Sequence, residues 1–231
     1  MYVHGKNVAK QMLEDNVKIK KAFIYKNSNE RELIEQLNKK DIEIKYLEKY
    51  ELDKIVDGNH QGIILSIPDY EYASLDDIIN DEREIIVILD HIEDPHNFGA
   101  IIRTCEAAKV SGIIIPKDRS VEVNSTVIKV STGAINNVKI SKVPNLSHTM
   151  EILKKEGFWI VGTDMKGTNY TEIDYNGKIA IVIGNEGHGI SRIVKENCDF
   201  IATIPMYGTT NSLNASVATG IMIFEAIKTR R

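Results

Sequence analysis

Five side chains able to hydrogen-bond, Thr209, Thr210, Asn211, Ser212 and Asn214, crowd into residues 204–220, where a strand-like run gives way to a helical one. After Ser212 the apolar residues Leu213, Val217, Gly220 with Ile221, and Phe224 recur at helical spacing, so Ser212 is expected to cap that helix. A core helix needs one cap, and this cluster exceeds it. Such a junction offers free backbone N–H groups and polar side chains on a rigid base, which is chemistry for holding a ligand.

Two more segments carry unusual residues. In residues 94–103, Asn97 is placed to cap a helix starting at Phe98, Gly99 admits close backbone approach, and Arg103 sits between apolar Ile102 and Cys105. An arginine so flanked is either a half-exposed stem or a guanidinium aimed into a cleft. In residues 184–190 the glycines Gly184, Gly187 and Gly189 allow positive φ and close contact with a ligand. Their spacing matches neither the dinucleotide fingerprint nor the phosphate loop, which disfavours nucleotide phosphate binding. Glu186 is expected either to pin its loop by pairing with a cation such as Arg103 or to touch substrate. His91, Asp94 and His96 share a loop without metal-ligand spacing, so no metal is expected.

The elements that position these segments alternate in type. Residues 7–15, 30–39 and 47–56 read as helices, and 21–25, 42–46 and 62–67 as strands. This is a small α/β domain over 1–67, followed by a linker over 68–82 that contains the strand-breaking Pro68. Beyond it, residues 85–89, 112–115, 158–161, 179–183 and 200–204 are near-continuous apolar runs with helical patterns between most of them. Strands buried on both faces look like this, so 83–231 is expected to be a parallel sheet covered by helices. Ligands bind such sheets beyond the carboxyl ends of the strands, and the three unusual segments lie there.

Composition sets outer limits. At 231 residues the chain has ample material for a core. The net charge is −4, with 12 basic and 12 acidic residues among the first 70, so any basic patch for nucleic acid must be local. Two cysteines imply no disulfide framework, and Cys105 falls on an apolar stripe with Phe98, Ile101, Ile102 and Ala108, as a buried thiol would. Without a signal-peptide pattern or a membrane-length apolar run, a cytoplasmic protein with no membrane partner is expected. Tyr25, Tyr46, Tyr50, Tyr70 and Tyr72 can stack on bases only if exposed, and Lys18 to Lys21 and Lys39 with Lys40 are either solvated surface or phosphate contacts.

The three segments, Asn97 to Arg103, Ile183 to Gly189, and Ile204 to Ala218, resemble in order and spacing the motifs of the SpoU/TrmH family of RNA ribose 2′-O-methyltransferases, within the SPOUT class. Residues 3–66, with Val3 to Asn7 and His60 to Gly62, more weakly resemble the substrate-recognition domain that precedes it in enzymes acting on large-subunit ribosomal RNA. The resemblance implies an α/β fold with a C-terminal trefoil knot, a homodimer, and S-adenosylmethionine as cofactor. It implies a cofactor pocket from Thr163, Gly184, Asn185, Gly187, Ile204, Met206, Ser212 and Leu213, with Asn97, Arg103, Glu186, Ser212 and Asn214 in the catalytic positions. The C-terminal helix, with Met222 and Phe224, is the expected dimer interface. Methyl transfer from a sulfonium to a ribose oxygen needs positioning and the handling of one proton, and no metal. Arginine holds its proton too tightly to be a simple base, so Arg103 is expected to grip phosphate and steady charge developing on oxygen. The expected substrate is a guanosine of 23S rRNA. The alternatives are a tRNA ribose, or a catalytically silent RNA-binding or ribosome-assembly factor of the same fold.

Overall fold

A computed structural model of the protein describes residues 1–228. Two compact units are present: Met1–Glu71 with Val123–Gly133, and Tyr72–Glu122 with the residues from Ala134 onward.

In the first unit, β1 (Tyr2–His4), α1 (Lys6–Glu14), β2 (Lys21–Tyr25), α2 (Arg31–Lys39), β3 (Ile44–Leu47), α3 (Lys49–Leu52) and β4 (Ile63–Ser66) follow in order. The sheet runs β1-β4-β2-β3, parallel only between β2 and β3. Alternation along each strand divides its side chains. Val3, Ala22, Ile24, Ile63 and Leu65 face Met12, Leu13, Leu33 and Leu37 of α1 and α2, whereas Leu47 and Ile64 meet Leu52 on the other face. The helix expected over 47–56 is a single turn, Lys49–Leu52: Glu48 and Glu51 form its capping box, Asp53 keeps helical dihedrals as its C-cap, and Ile55 and Val56 beyond it still pack on the sheet.

In the second unit α4 (Leu75–Ile79) precedes β5 (Ile85–Asp90), α5 (Pro95–Ala107) and β6 (Gly112–Pro116). The chain then contributes α6 (Ser125–Ser131), capped by Asn124, to the first unit. It continues through β7 (Ile140–Val143), α7 (Leu146–Lys155), β8 (Trp159–Asn169), β9 (Ile179–Gly184), α8 (Arg192–Glu196), β10 (Phe200–Thr203) and α9 (Ala215–Lys228). All six strands are parallel, in the order β10-β8-β9-β5-β6-β7. Strand addition proceeds one way from β5 to β7 and then jumps to the far side. Right-handed crossovers therefore put α7 and α8 on the face opposite α5. Accordingly, Leu146, Met150, Leu153 and Val194 share a core with Ile86, Ile88, Ala180 and Val182. The central strands β5 and β9 are buried on both sides, which is why they read as unbroken apolar runs. Strand β8 runs well past the expected residue 161: β10 pairs with Gly162 and then with Thr168, leaving the intervening residues bulged. Gly167 permits this, because a Cβ there would sit 2.3 Å from the Ile201 carbonyl oxygen. No described helix is long and apolar enough to cross a membrane.

Candidate active site

Strands β5 and β9 are neighbours, yet the chain leaves them in opposite directions, toward β6 and toward β10. That divergence opens a crevice beyond their carboxyl ends, where Asp90 and Gly184 are register partners. The loop after β9 is closed on itself: Asn185 N–H donates to the Gly189 carbonyl at 3.1 Å, and Gly189 N–H returns a bond to Asn185 at 2.8 Å. Gly189 needs its left-handed φ of 66° to make this turn. Gly184 is required by space, since a Cβ there would lie 2.1 Å from the Gly189 carbonyl carbon and 2.2 Å from Ile190 N. The Asn185 amide spans the crevice, donating to the His91 carbonyl at 3.0 Å while accepting from Gly187 N–H at 2.9 Å.

Helix α5 starts earlier than its sequence suggested. Pro95 occupies its first turn and Asp94 accepts from His96 N–H at 2.9 Å, a bond that holds the Asp94 carboxyl below the usual carboxylate range. Asn97 therefore does not cap. It is buried in the first turn, and its side chain joins the three segments: its amide donates to Glu186 in the β9 loop, and its oxygen accepts from the Asn214 amide at 2.8 Å. Asn214 in turn accepts from Ser216 N–H at 2.9 Å and carries the α9 cap expected of Ser212, which is exposed and lies outside the helix. The polarity of this chain is fixed by chemistry at both ends, because a carboxylate only accepts and a backbone N–H only donates. Each amide has one permitted orientation.

Glu186 thus pins its loop through Asn97, and not through Arg103, the cation that one of the two expectations for it named. Arg103 lies farther along α5, exposed, with no hydrogen bond or ion pair to any described residue. The remaining pocket candidates lie on β8 and on the segment between β10 and α9. The Thr163 hydroxyl donates to the Val182 carbonyl at 3.0 Å, linking β8 to β9. Ile204, Met206 and Leu213 are half-buried in the segment between β10 and α9, and no described backbone hydrogen bond engages residues 206–213. Half-buried apolar groups beside free backbone donors and acceptors suit a ligand with an aromatic base and a polar tail. On α9, Met222 is fully buried and offers nothing to a partner, while Phe224 is exposed as expected.

Sequence reasoning missed Asp90. Only 1% exposed, it accepts from Ser191 N–H at 2.5 Å and from the His91 ring at 2.5 Å, fixing where the β9 loop ends. The available signal was an acid closing an otherwise apolar strand. Burial pushes the Cys198 thiol up to about 12 and raises that of fully buried Cys105 further, so neither is a nucleophile here.

Comparison with known proteins agrees with this geometry. Residues 84–224 match the SpoU rRNA Methylase family, and residues 2–73 match the RNA 2′-O ribose methyltransferase substrate-binding family. The chain is 42% identical to YacO of Bacillus subtilis, ascribed to the TrmH family of tRNA/rRNA methyltransferases, over 99% of this chain and 96% of that one. An AdoMet-bound rRNA methyltransferase from Sinorhizobium meliloti is 27% identical, with a TM-score of 0.78 over 99% of this chain and 87% of that one. The SpoU methyltransferase AviRb from Streptomyces viridochromogenes, solved with AdoMet, shares the fold at 23% identity, with a TM-score of 0.84 over 100% and 90% of the two chains. The crevice at the strand ends, the three segments joined through Asn97 and these matches lead to one conclusion: the chain belongs to the SpoU/TrmH family of RNA methyltransferases.

Proposed function

We propose that the protein methylates a ribose 2′-hydroxyl of structured RNA using S-adenosylmethionine, and that the substrate is a guanosine of 23S rRNA. The observation that carries the reading is the joining of three polar segments through Asn97 at the carboxyl ends of β5 and β9, with the unpaired cation Arg103 on the same helix. The match over nearly the whole length of an rRNA methyltransferase favours rRNA over tRNA.

Bound S-adenosylmethionine supplies a methyl group already activated on a sulfonium. The backbone of Gly184, Asn185 and Gly187, with Ile204, Met206, Ser212 and Leu213, would hold it, with Thr163 bracing the floor. Arg103 grips the phosphate beside the target ribose with two parallel donors and steadies the charge developing on the 2′-oxygen. The 2′-hydroxyl proton would pass to a phosphate oxygen or to water. Asn97, Glu186 and Asn214 keep the three segments in register, so that holding the methyl donor and holding the ribose remain geometrically coupled.

Family membership supports a knotted C-terminal crossing in unit 2 and a homodimer. Val217, Ile221 and Phe224 form a stripe on α9 that is at least partly exposed, which a second copy would cover. Two measurements test the function. Ribose-methylation mapping of ribosomal and transfer RNA, with and without the gene, should show one lost guanosine mark in 23S rRNA; an unchanged map rejects the reading. Arg103→Ala should bind S-adenosylmethionine normally by calorimetry yet lose roughly 10²-fold in single-turnover transfer. Arg103→Lys should recover little, because a point charge lacks the planar two-donor grip.

A further inference from the structure

The first unit leaves part of one sheet face open. Helices α1 and α2 cover the face that carries Ala22 and Ile24. On the opposite face, strand register places Tyr2 beside Ser66, Ser66 beside Lys21, Ile64 beside Phe23, and Phe23 beside Lys45. Leu52, Ile55 and Val56 cover this face around Leu47, Tyr25 and Ile64 and pack in one cluster with the half-buried Phe23. At the other end Tyr2 is 44% exposed, its ring edge-on to Phe23 with centroids 6.0 Å apart, and Lys21 Nζ lies 5.8 Å from the Phe23 ring. Tyr50 stands at the rim on α3, 61% exposed, with Lys54 Nζ 5.4 Å from its ring.

The charges around this face are asymmetric in their partners. Glu43 is bound by Lys21, Glu48 by Lys26, Glu51 by the α3 cap and Asp53 by His60. Lys45, Lys49 and Lys54 contact no described carboxylate, and Asp57 is the free acid of the adjoining turn. The five acids balance the five lysines named here in charge, and what the pairing leaves is three lysine heads, Lys45, Lys49 and Lys54, free to take phosphates. Exposed aromatic rings among unpaired lysines suit a strand of RNA whose bases are unstacked: rings take base faces and lysines take phosphates. A base-paired helix presents no base face to such rings.

We infer that the open sheet face formed by Tyr2, Phe23 and Lys45, with Tyr50 and Lys54 at its rim, binds single-stranded or looped RNA. This deepens the proposed function and rests on it, since it names the part of the substrate that the first unit holds.

The test uses the full chain and two probes, a labelled 12-nucleotide oligouridylate and a 12-base-pair RNA duplex. Tyr2→Ala should weaken oligouridylate binding by about tenfold, the scale of one lost stacking contact, and Tyr2→Phe should not. The surface variant Lys45→Ala/Lys49→Ala, which cannot disturb the core, should lower the slope of log affinity against log salt by about 1.4, roughly 0.7 for each phosphate contact. Calorimetric titration with S-adenosylmethionine on the same samples separates the two ideas. Normal cofactor binding with unchanged oligouridylate affinity in Tyr2→Ala and in the lysine variant overturns the sheet-face proposal alone. Wild-type protein that binds no cofactor overturns the enzymatic reading instead. Equal effects on duplex and single strand would show a merely electrostatic surface and overturn the stacking role. Loss of self-association in these variants, with RNA affinity intact, would assign the face to a second copy and also overturn it.

Discussion

Exchanging the donor for an acceptor at Asn97 tests the geometry of the site most directly. Asn97→Ala removes a charge-assisted bond to Glu186 and a neutral one to Asn214. Such bonds contribute about 1.5–3 and 0.5–1.5 kcal/mol respectively. Glu186 and Asn214 are both exposed and regain water when abandoned, so the lower ends of those ranges apply and the loss should be about 2 kcal/mol. In a protein of this size that lowers Tm by roughly 4–8 °C. Asn97→Asp keeps the shape and the acceptor for Asn214, but it sets a second carboxylate against Glu186. It should be less stable than the alanine variant at pH 8. Like charge raises the folded-state pKa of one carboxyl in that pair, so the variant recovers stability as pH falls and loses it as pH rises. Adding Glu186→Gln restores a donor opposite the new acceptor, so the double variant should be more stable than Asn97→Asp. Fluorescence of Trp159, the sole tryptophan, reports unfolding of the unit that holds the site. Asn97→Asp as stable as the natural protein at pH 8, or no rescue by Glu186→Gln, would refute the bonded chain.

Gly184→Ala forces backbone atoms 2.1–2.2 Å from the new Cβ to move, so calorimetric affinity for S-adenosylmethionine should fall more than tenfold; a change within twofold would mean the loop yields freely. Asp81 accepts from Arg83 and Lys139, and chiefly the Arg83 bond holds its carboxyl well below the ordinary 3.8. A depressed folded pKa gives stability at neutral pH that is lost as pH drops below that ordinary value. Asp81→Asn should therefore cost about 2 kcal/mol at pH 7 and flatten the acid limb of stability, which denaturant titrations at pH 7 and pH 3 would check. A thiol reagent at pH 8 should modify neither Cys105 nor Cys198 within minutes in the native protein and both after denaturation, and prompt native labelling would contradict the burial of Cys105 or the raised pKa of half-buried Cys198.

How much of this could be read from the sequence depended on whether a signal was local. The strands β5, β6 and β9 were legible because burial on both faces removes polar residues from the run. Strand β7 was not, since its half-buried Lys142 breaks the apolar pattern at the sheet edge, and β1 is too short to show a period. The start of α5 was legible but misread. Proline in a first turn behind an aspartate is itself a start signal, and Asn97 drew attention because its type suits a cap. Its partners lie 89 and 117 residues away, beyond the reach of any spacing rule. The same limit explains Ser212 and Asn214. Both types cap helices, and only the bonds from Asn214 to Ser216 and Asn97 decide between them.

The partner that Glu186 takes shows what the fold adds to the residue types. Six residues along an α-helix turn a side chain about 120° from the first one, so Asn97 and Arg103 cannot serve the same neighbour. Asn97 faces the β9 loop and satisfies Glu186, which leaves Arg103 toward water with its donors free. Had Arg103 bonded Glu186, an incoming phosphate would first have to break a charge-assisted pair, and the loop would lose its anchor as substrate bound. A neutral amide as the anchor removes that conflict. Under the proposed function, the β9 loop then stays fixed around the methyl donor whether or not RNA is present, and the guanidinium remains unpaired until a phosphate arrives.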